Sequence, residues 1–105
     1  MKEQEYESET INWRGEVKES LFVEYKPGQI IFYEGHIPFG IFVFIEGCVA
    51  LKSDRKKKEL RLAPLNEPID VDAFFYKNPY KYSAEALTHT KGYFMGMSLL
   101  HKYTK

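Results

Sequence analysis

The stretch Tyr25 to Gly47, YKPGQIIFYEGHIPFGIFVFIEG, leaves a chain of this kind few ways to fold. It reads as strand, turn, strand, turn, strand. Pro27 and Gly28 suit the two central positions of a type II turn, because Pro fixes its φ and Gly accepts the positive φ that follows. Gln29 to Glu34 is rich in apolar and β-branched residues, as a strand should be. Gly35 ends it, and Pro38 and Gly40 mark a second turn. Ile41 to Ile45 is apolar without a break, which predicts a strand buried on both faces. Gly47 follows, where the backbone can bend without a side chain in the way. Together these signals predict a small antiparallel β-roll.

The rest of the chain adds strands around this centre. Met1 to Glu9 is charged and poor in apolar residues, and is expected to be a frayed tail. Residues 10–20 are expected to form a short helix with Thr10 as its cap. Trp13, Val17 and Leu21 recur every four residues and would share one face. Leu21, Val23 and Tyr25 then alternate with Phe22, Glu24 and Lys26 as a first strand. Val49 and Leu51 face one way, Cys48 and Ala50 the other. Alternation resumes at Glu59 to Leu62, so a hairpin is expected around a turn at Ser53 to Lys58. Ile30, Phe42 and Leu60 should meet in one interior. Asp70 to Tyr76 can form one helical turn capped by Asp70. Tyr82 to Thr88 and Gly92 to Met97 alternate again, and Ser98 can cap a last helix through Leu99, Leu100 and Tyr103.

The length of 105 residues suits a single domain, 1–105, with the roll over 21–97 and the start of a C-terminal helix over 98–105. Formal net charge is zero, so no whole-chain field draws it to nucleic acid. No apolar run approaches the roughly 20 residues needed to span a bilayer. The opening MKEQEYESET is acidic and polar, unlike a secretory signal. The single Cys48 has no intramolecular disulfide partner, which fits a reducing cytoplasm.

The order of these pieces, from about Trp13 to Leu100, resembles the cyclic nucleotide-binding domain superfamily, the sensory β-roll of bacterial catabolite-activator and FNR-type regulators. YKPGQIIFYEG and FGIFVFIEGCVAL carry the resemblance most clearly. Leu60 to Leu65 and Tyr82-Ser83-Ala84-Glu85-Ala86-Leu87 are similar to later strands of the family. The resemblance implies a mainly β fold: an antiparallel β-roll or jelly roll (double-stranded β-helix) with short N- and C-terminal helices. It also implies a cytoplasmic, non-enzymatic signalling role.

The family's ligand chemistry lies in a phosphate-binding cassette. A Gly-Glu pair opens a short helix whose backbone N–H groups face the cyclic phosphate, and the Glu accepts from the ribose. An Arg before a Ser/Thr-Ala pair neutralises the phosphate. A helix N-terminus favours anions, and Arg offers a bidentate fork. In this chain Asp70 falls at the Gly position, Val71 at the Glu position and Tyr82 at the Arg position. Only Ser83 and Ala84 agree. Val71 cannot accept a ribose hydrogen bond, Tyr82 carries no charge, and Asp70 and Asp72 would repel a phosphate. Like charges about 4 Å apart cost roughly 4 kcal/mol at an effective dielectric near 20. Lys81, next to Tyr82 on a strand, would point to the opposite face. The expectation is a degenerate cassette (Asp70, Val71, Asp72, Ala73, Tyr82, Ser83 and Ala84) that does not hold cyclic AMP by the usual contacts. A different small molecule is one alternative ligand. A filled roll acting through a protein partner or homodimer is a second reading, and a receptor with altered contacts a third. No helix-turn-helix follows, so no nucleic-acid binding by this chain alone is expected, nor any membrane contact.

Other chemistry finds little support. His36, His89 and His101 lack the two-apart strand spacing of a metal pair, so neither metal nor cofactor is expected. His36 suits a surface turn and Cys48 a small buried strand position. The cations Arg55 to Lys58 suit a solvated hairpin tip. Phe74, Phe75, Tyr76, Tyr80 and Tyr82 form an aromatic group around the cassette, expected to fill it rather than line it. No Gly-x-Ser-x-Gly elbow, Cys-His pairing signature or Walker loop is present.

Overall fold

The computed structural model describes residues 11–53 and 58–103, with side chains placed over 11–53 and 61–103. In chain order the elements are α1 (Trp13–Lys18), β1 (Leu21–Tyr25), β2 (Ile30–Phe32), β3 (Gly40–Glu46), β4 (Val49–Ser53), β5 (Lys58–Leu62), α2 (Val71–Phe75), β6 (Ser83–Ala86), β7 (Thr90–Gly96) and α3 (Met97–Leu100). A 3-10 turn at His101–Tyr103 follows. The described strands form two sheets, ordered β1-β7-β3 and β2-β6-β4-β5, and every pairing is antiparallel. The antiparallel β-roll expected from the sequence is therefore the fold.

The apolar run on β3 has the predicted cause over Ile41–Phe44, while Ile45, expected to be buried with them, is 37% exposed. Phe42 and Phe44 point between the two sheets, among Phe32, Val49, Leu51, Ala63, Tyr80, Tyr82 and Ala84. Ile41 and Val43 point the other way, into a second cluster with Ile11, Phe74, Phe75, Met95 and Leu100. One strand thus serves two cores, because its pleat sends alternate residues to opposite faces. The turns also behave as read. Gly28 has φ +92, and the Gln29 N–H donates to the Lys26 carbonyl across the Pro27–Gly28 turn. Gly47 has φ +107, and a Cβ there would lie 2.5 Å from the His89 carbonyl oxygen and 2.7 Å from Thr90 Cα.

Several local expectations change. Helix α1 is shorter than 10–20: Asn12 caps it, accepting from the Gly15 N–H at 3.2 Å, while Thr10 lies outside the described residues. Leu21 does not continue the helical face; it opens β1 and is 64% exposed. Strand β2 spans only Ile30–Phe32, and its core residue is Phe32 with Ile31 packed beside it, whereas half-buried Ile30 lies opposite Glu85. Cys48 is half-buried just before β4, not a core residue, and its N–H donates to Thr88 Oγ1. Ala50, placed on the same face as Cys48, is fully buried. Helix α3 starts after Gly96, so Ser98 lies inside it rather than capping it. The hairpin of β4 with β5 forms as read, and its basic tip falls outside the described residues, as does the Leu60 side chain.

One polar contact ties the ends of the described chain together. Glu16 on α1 is 5% exposed, and its carboxylate accepts from the Tyr103 hydroxyl and from Lys102 Nζ at 2.9 Å. Burial alone would raise the Glu16 pKa, but these two donors outweigh it and leave it below the ordinary carboxylate value.

Candidate functional site

Backbone pairing along the free edge of β3 places the cassette segment. The Asn66 N–H donates to the Phe44 carbonyl at 2.7 Å and the Ile69 N–H to the Phe42 carbonyl at 2.9 Å, with a bridge between Val43 and Pro68. This rail delivers the chain to α2. The helix is entered and left through left-handed residues, Asp70 at φ 54 and Lys77 at φ 58. At its end the Lys77 N–H donates to the Phe74 carbonyl and the Asn78 N–H to the Ala73 carbonyl. That is the Schellman pattern, closed here by Lys instead of the usual Gly. Pro79 follows and cannot continue a helix.

Asp70 therefore does not cap α2 with its side chain, as the sequence had suggested. Its backbone occupies a conformation that favours Gly, and its carboxylate turns elsewhere. Asp70 Oδ1 accepts a 2.6 Å hydrogen bond from the Tyr82 hydroxyl. That hydroxyl in turn accepts from Arg61 Nη2 at 3.1 Å, and the guanidinium lies 5.5 Å from the Tyr82 ring centre. An Arg–Tyr–Asp relay thus occupies the cassette, with the phenol joining two charges that make no direct ion pair with each other.

The remaining cassette residues do structural work. Val71 packs half-buried against the second cluster. Asp72 is exposed in the first turn of α2, and its carbonyl accepts from the Tyr76 N–H. The Ala73 carbonyl closes the end of the helix. The Ser83 hydroxyl is buried and accepts the Glu34 N–H at 2.9 Å. Ala84 is fully buried, opposite Phe32 and Leu51 in register. Lys81 is exposed.

The aromatic group expected around the cassette divides between the two cores. Phe74 and Phe75 join the second cluster, while Tyr80 and Tyr82 join the first. Tyr80 stacks on Phe32 with ring centres 3.8 Å apart. Burial pushes the Tyr80 and Tyr82 phenols well above the ordinary tyrosine value, and the nearby Asp70 charge pushes both further up. Tyr25 is raised by burial as well. His36 sits in an exposed turn, and no group of three metal-ligating side chains occurs among the described residues.

Arg61 was not anticipated. Register explains why it reaches the site. The β4–β5 pairing slips between Leu51 and Lys52, so Arg61 lies opposite Leu51, which is fully buried in the first cluster. Leu62 lies opposite Ala50 and is 53% exposed. The alternation of Leu60, Arg61 and Leu62 read alone would put Arg61 outside; a bulge reverses it. The only sequence signal available was the single cation set between two leucines in a strand.

The sequence profile of the cyclic nucleotide-binding domain matches residues 22–103. The chain belongs to the cyclic nucleotide-binding domain family. No curated protein sequence matches it. Solved structures share the fold at low identity. The N-terminal domain of a transcriptional regulator from Streptomyces coelicolor A3(2) superposes with a TM-score of 0.72 at 24% identity, over 86% of this chain and 65% of that one. The catabolite activator protein of Thermus thermophilus gives 0.69 at 18%, over 86% and 46%. The EAL enzyme Bd1971, in a half-site-occupied form, gives 0.67 at 20%, over 79% and 78%. The chain thus spans about half to two thirds of the length of the two regulators. No helix among the described residues is long and apolar enough to cross a membrane.

Proposed function

We propose that this chain is a non-enzymatic regulatory domain whose ligand cassette has lost its grip on cyclic nucleotides. Residues 1–105 act as one unit, working in the cytoplasm through a small molecule of another kind or a protein partner. The observation that carries this reading is the hydrogen bond from Tyr82 to Asp70. It links β6 to the entry of α2 with an internal carboxylate, in the place where the resemblance implies an Arg, a Gly and a bound phosphate. A phosphate brought there would meet Asp70 first, and would have to displace the phenol that screens it.

A second reading has support of its own. Tyr80, stacked on Phe32, and Tyr82 fill part of the space between the sheets. A roll filled in this way serves as a structural or protein-interaction module with no ligand at all. Thermal-shift and calorimetric titration with cyclic AMP and cyclic GMP test the first point: no binding in the millimolar range is expected. Micromolar binding of either would refute it. The triple replacement Asp70→Gly, Val71→Glu and Tyr82→Arg should create binding. A folded triple variant that remains inert would mean that the missing contacts are not the reason.

A further inference from the structure

The relay leaves hydrogen-bonding capacity unused on both of its charged ends. Arg61 is exposed, and Tyr82 is its only hydrogen-bond partner among the described residues, so most of its donors are open. Asp70 is half-buried, and only Oδ1 is engaged by the phenol. A second feature points to the same place independently. Tyr80 is 6% exposed, yet its hydroxyl has no hydrogen-bond partner among the described residues. Among the described residues no side-chain oxygen or nitrogen sealed from solvent lacks a partner, so this hydroxyl must open onto accessible space. The Tyr25 hydroxyl is likewise without a partner among the described residues. Tyr80 and Tyr82 both pack on Phe32, with ring centres 3.8 and 6.3 Å from it, and Tyr25 packs against the same cluster. The Asp70 charge also acts on the Tyr80 phenol. Buried phenols ordinarily find a partner, so the open hydroxyl of buried Tyr80 is informative, and half-buried Tyr25 adds a second open hydroxyl on the same cluster.

We propose that Arg61, Asp70 and Tyr82, with the hydroxyls of Tyr25 and Tyr80, form a recognition site for a small zwitterion of the amino-acid class. The ligand carboxylate docks on the open fork of Arg61, and its ammonium donates to Asp70 and to the tyrosine hydroxyls. The charge pattern selects this class. Arg61 and Asp70 cancel in net charge but stand apart, separated by a phenol with one hydrogen bond to each. An anion alone meets Asp70, and a cation alone meets Arg61. A dipolar ion satisfies both, and an α-amino acid carries its two charges on neighbouring groups that fit a gap of two hydrogen bonds. The left-handed backbone of Asp70 agrees with this assignment, since strained non-Gly residues cluster at ligand-holding positions. The assignment rests on the proposed loss of cyclic-nucleotide binding.

The test is calorimetry and thermal shift on the whole chain with the protein amino acids and glycine betaine at millimolar concentration. Matched amines lacking the carboxylate, matched acids lacking the ammonium, glucose and cyclic AMP serve as comparisons. At least one zwitterion should bind, with its amine and acid analogues each weaker by roughly tenfold or more, about 1.4 kcal/mol. Arg61→Gln should abolish the advantage of the zwitterion over the amine, and Asp70→Asn its advantage over the acid. The exposed Arg61 makes the first variant safe for folding. Failure of every zwitterion, or binding unchanged by Arg61→Gln, or tighter binding of glucose overturns the site while leaving the proposed regulatory role intact. Tight binding of cyclic AMP overturns both.

Discussion

Replacing Tyr82 by Phe isolates the relay from the packing around it. The ring, its place in the first cluster and its contact with the Arg61 guanidinium are kept. What is lost is the 2.6 Å bond to Asp70 and the 3.1 Å bond from Arg61. A hydrogen bond to a charged group contributes about 1.5–3 kcal/mol. Asp70 is half-buried and can recover water, so the lower end applies, about 1.5 kcal/mol. For a domain of this size that lowers Tm by roughly 6–12 °C. Urea and thermal unfolding followed by circular dichroism read the change. A double-mutant cycle with Asp70→Asn then separates the pair from its surroundings, with an expected coupling of about 1 kcal/mol or more. A Tyr82→Phe variant as stable as the parent, with a cycle additive to about 0.5 kcal/mol, would refute the claim that the relay holds β6 to α2.

Further outcomes follow from other contacts. Tyr80 and Tyr82 keep their protons in the fold above the pH at which free tyrosine, near 10.0, loses its own. Above about pH 10 the unfolded chain therefore binds fewer protons, and stability falls as pH rises, by up to about 1.4 kcal/mol per pH unit for each phenol. Tyr82→Phe should make the alkaline limb shallower in a pH-resolved urea titration. Gly47→Ala should destabilise by about 3 kcal/mol or more, because its Cβ would strike the His89 carbonyl as well as straining φ, whereas Gly28→Ala meets no atom within 4 Å and should cost about 1–2 kcal/mol. Glu16→Ala should lower the urea midpoint by removing the acceptor of the Tyr103 hydroxyl, whereas exposed Lys102 recovers water and adds little. The parent Glu16 contribution should be present above about pH 4.5 and fade as pH falls, since its folded-state pKa is the lower one.

The legible parts of this chain were those fixed by local stereochemistry. Pro27–Gly28 and Gly47 announced their turns through φ, and the uninterrupted β3 run announced two buried faces. The cassette was legible in its composition but not in its wiring. Asp70 looked like a cap because Asp commonly accepts from a helix N-terminus, and nothing local reveals that the chain enters α2 in a left-handed conformation that aims the carboxylate at Tyr82 instead. Arg61 was hidden by the register slip in the β4–β5 hairpin. A bulge is a non-local compromise between two strands, so a period-2 reading of one strand cannot detect it. Thr10 yielded to Asn12 because the helix starts where its first N–H groups meet an acceptor, and a window of apolar spacing leaves that point open by a turn.

The relay also dictates the order in which a phosphate grip could be rebuilt. Asp70 sits at a backbone position where Gly has no steric penalty and Asp tolerates the strain. Once Asp is there, its carboxylate needs a donor, and Tyr82 supplies one. Tyr82→Arg made alone would put a guanidinium beside that carboxylate, and the two would pair and close the site instead of opening it to an anion. Asp70→Gly made alone frees the Tyr82 hydroxyl but adds no cation where the phosphate would lie. Affinity for cyclic AMP should therefore appear only when both changes are present, with Val71→Glu adding the ribose acceptor. Calorimetry on the single and double variants reads this directly. An affinity gained by Tyr82→Arg alone would show that Asp70 does not guard the cassette.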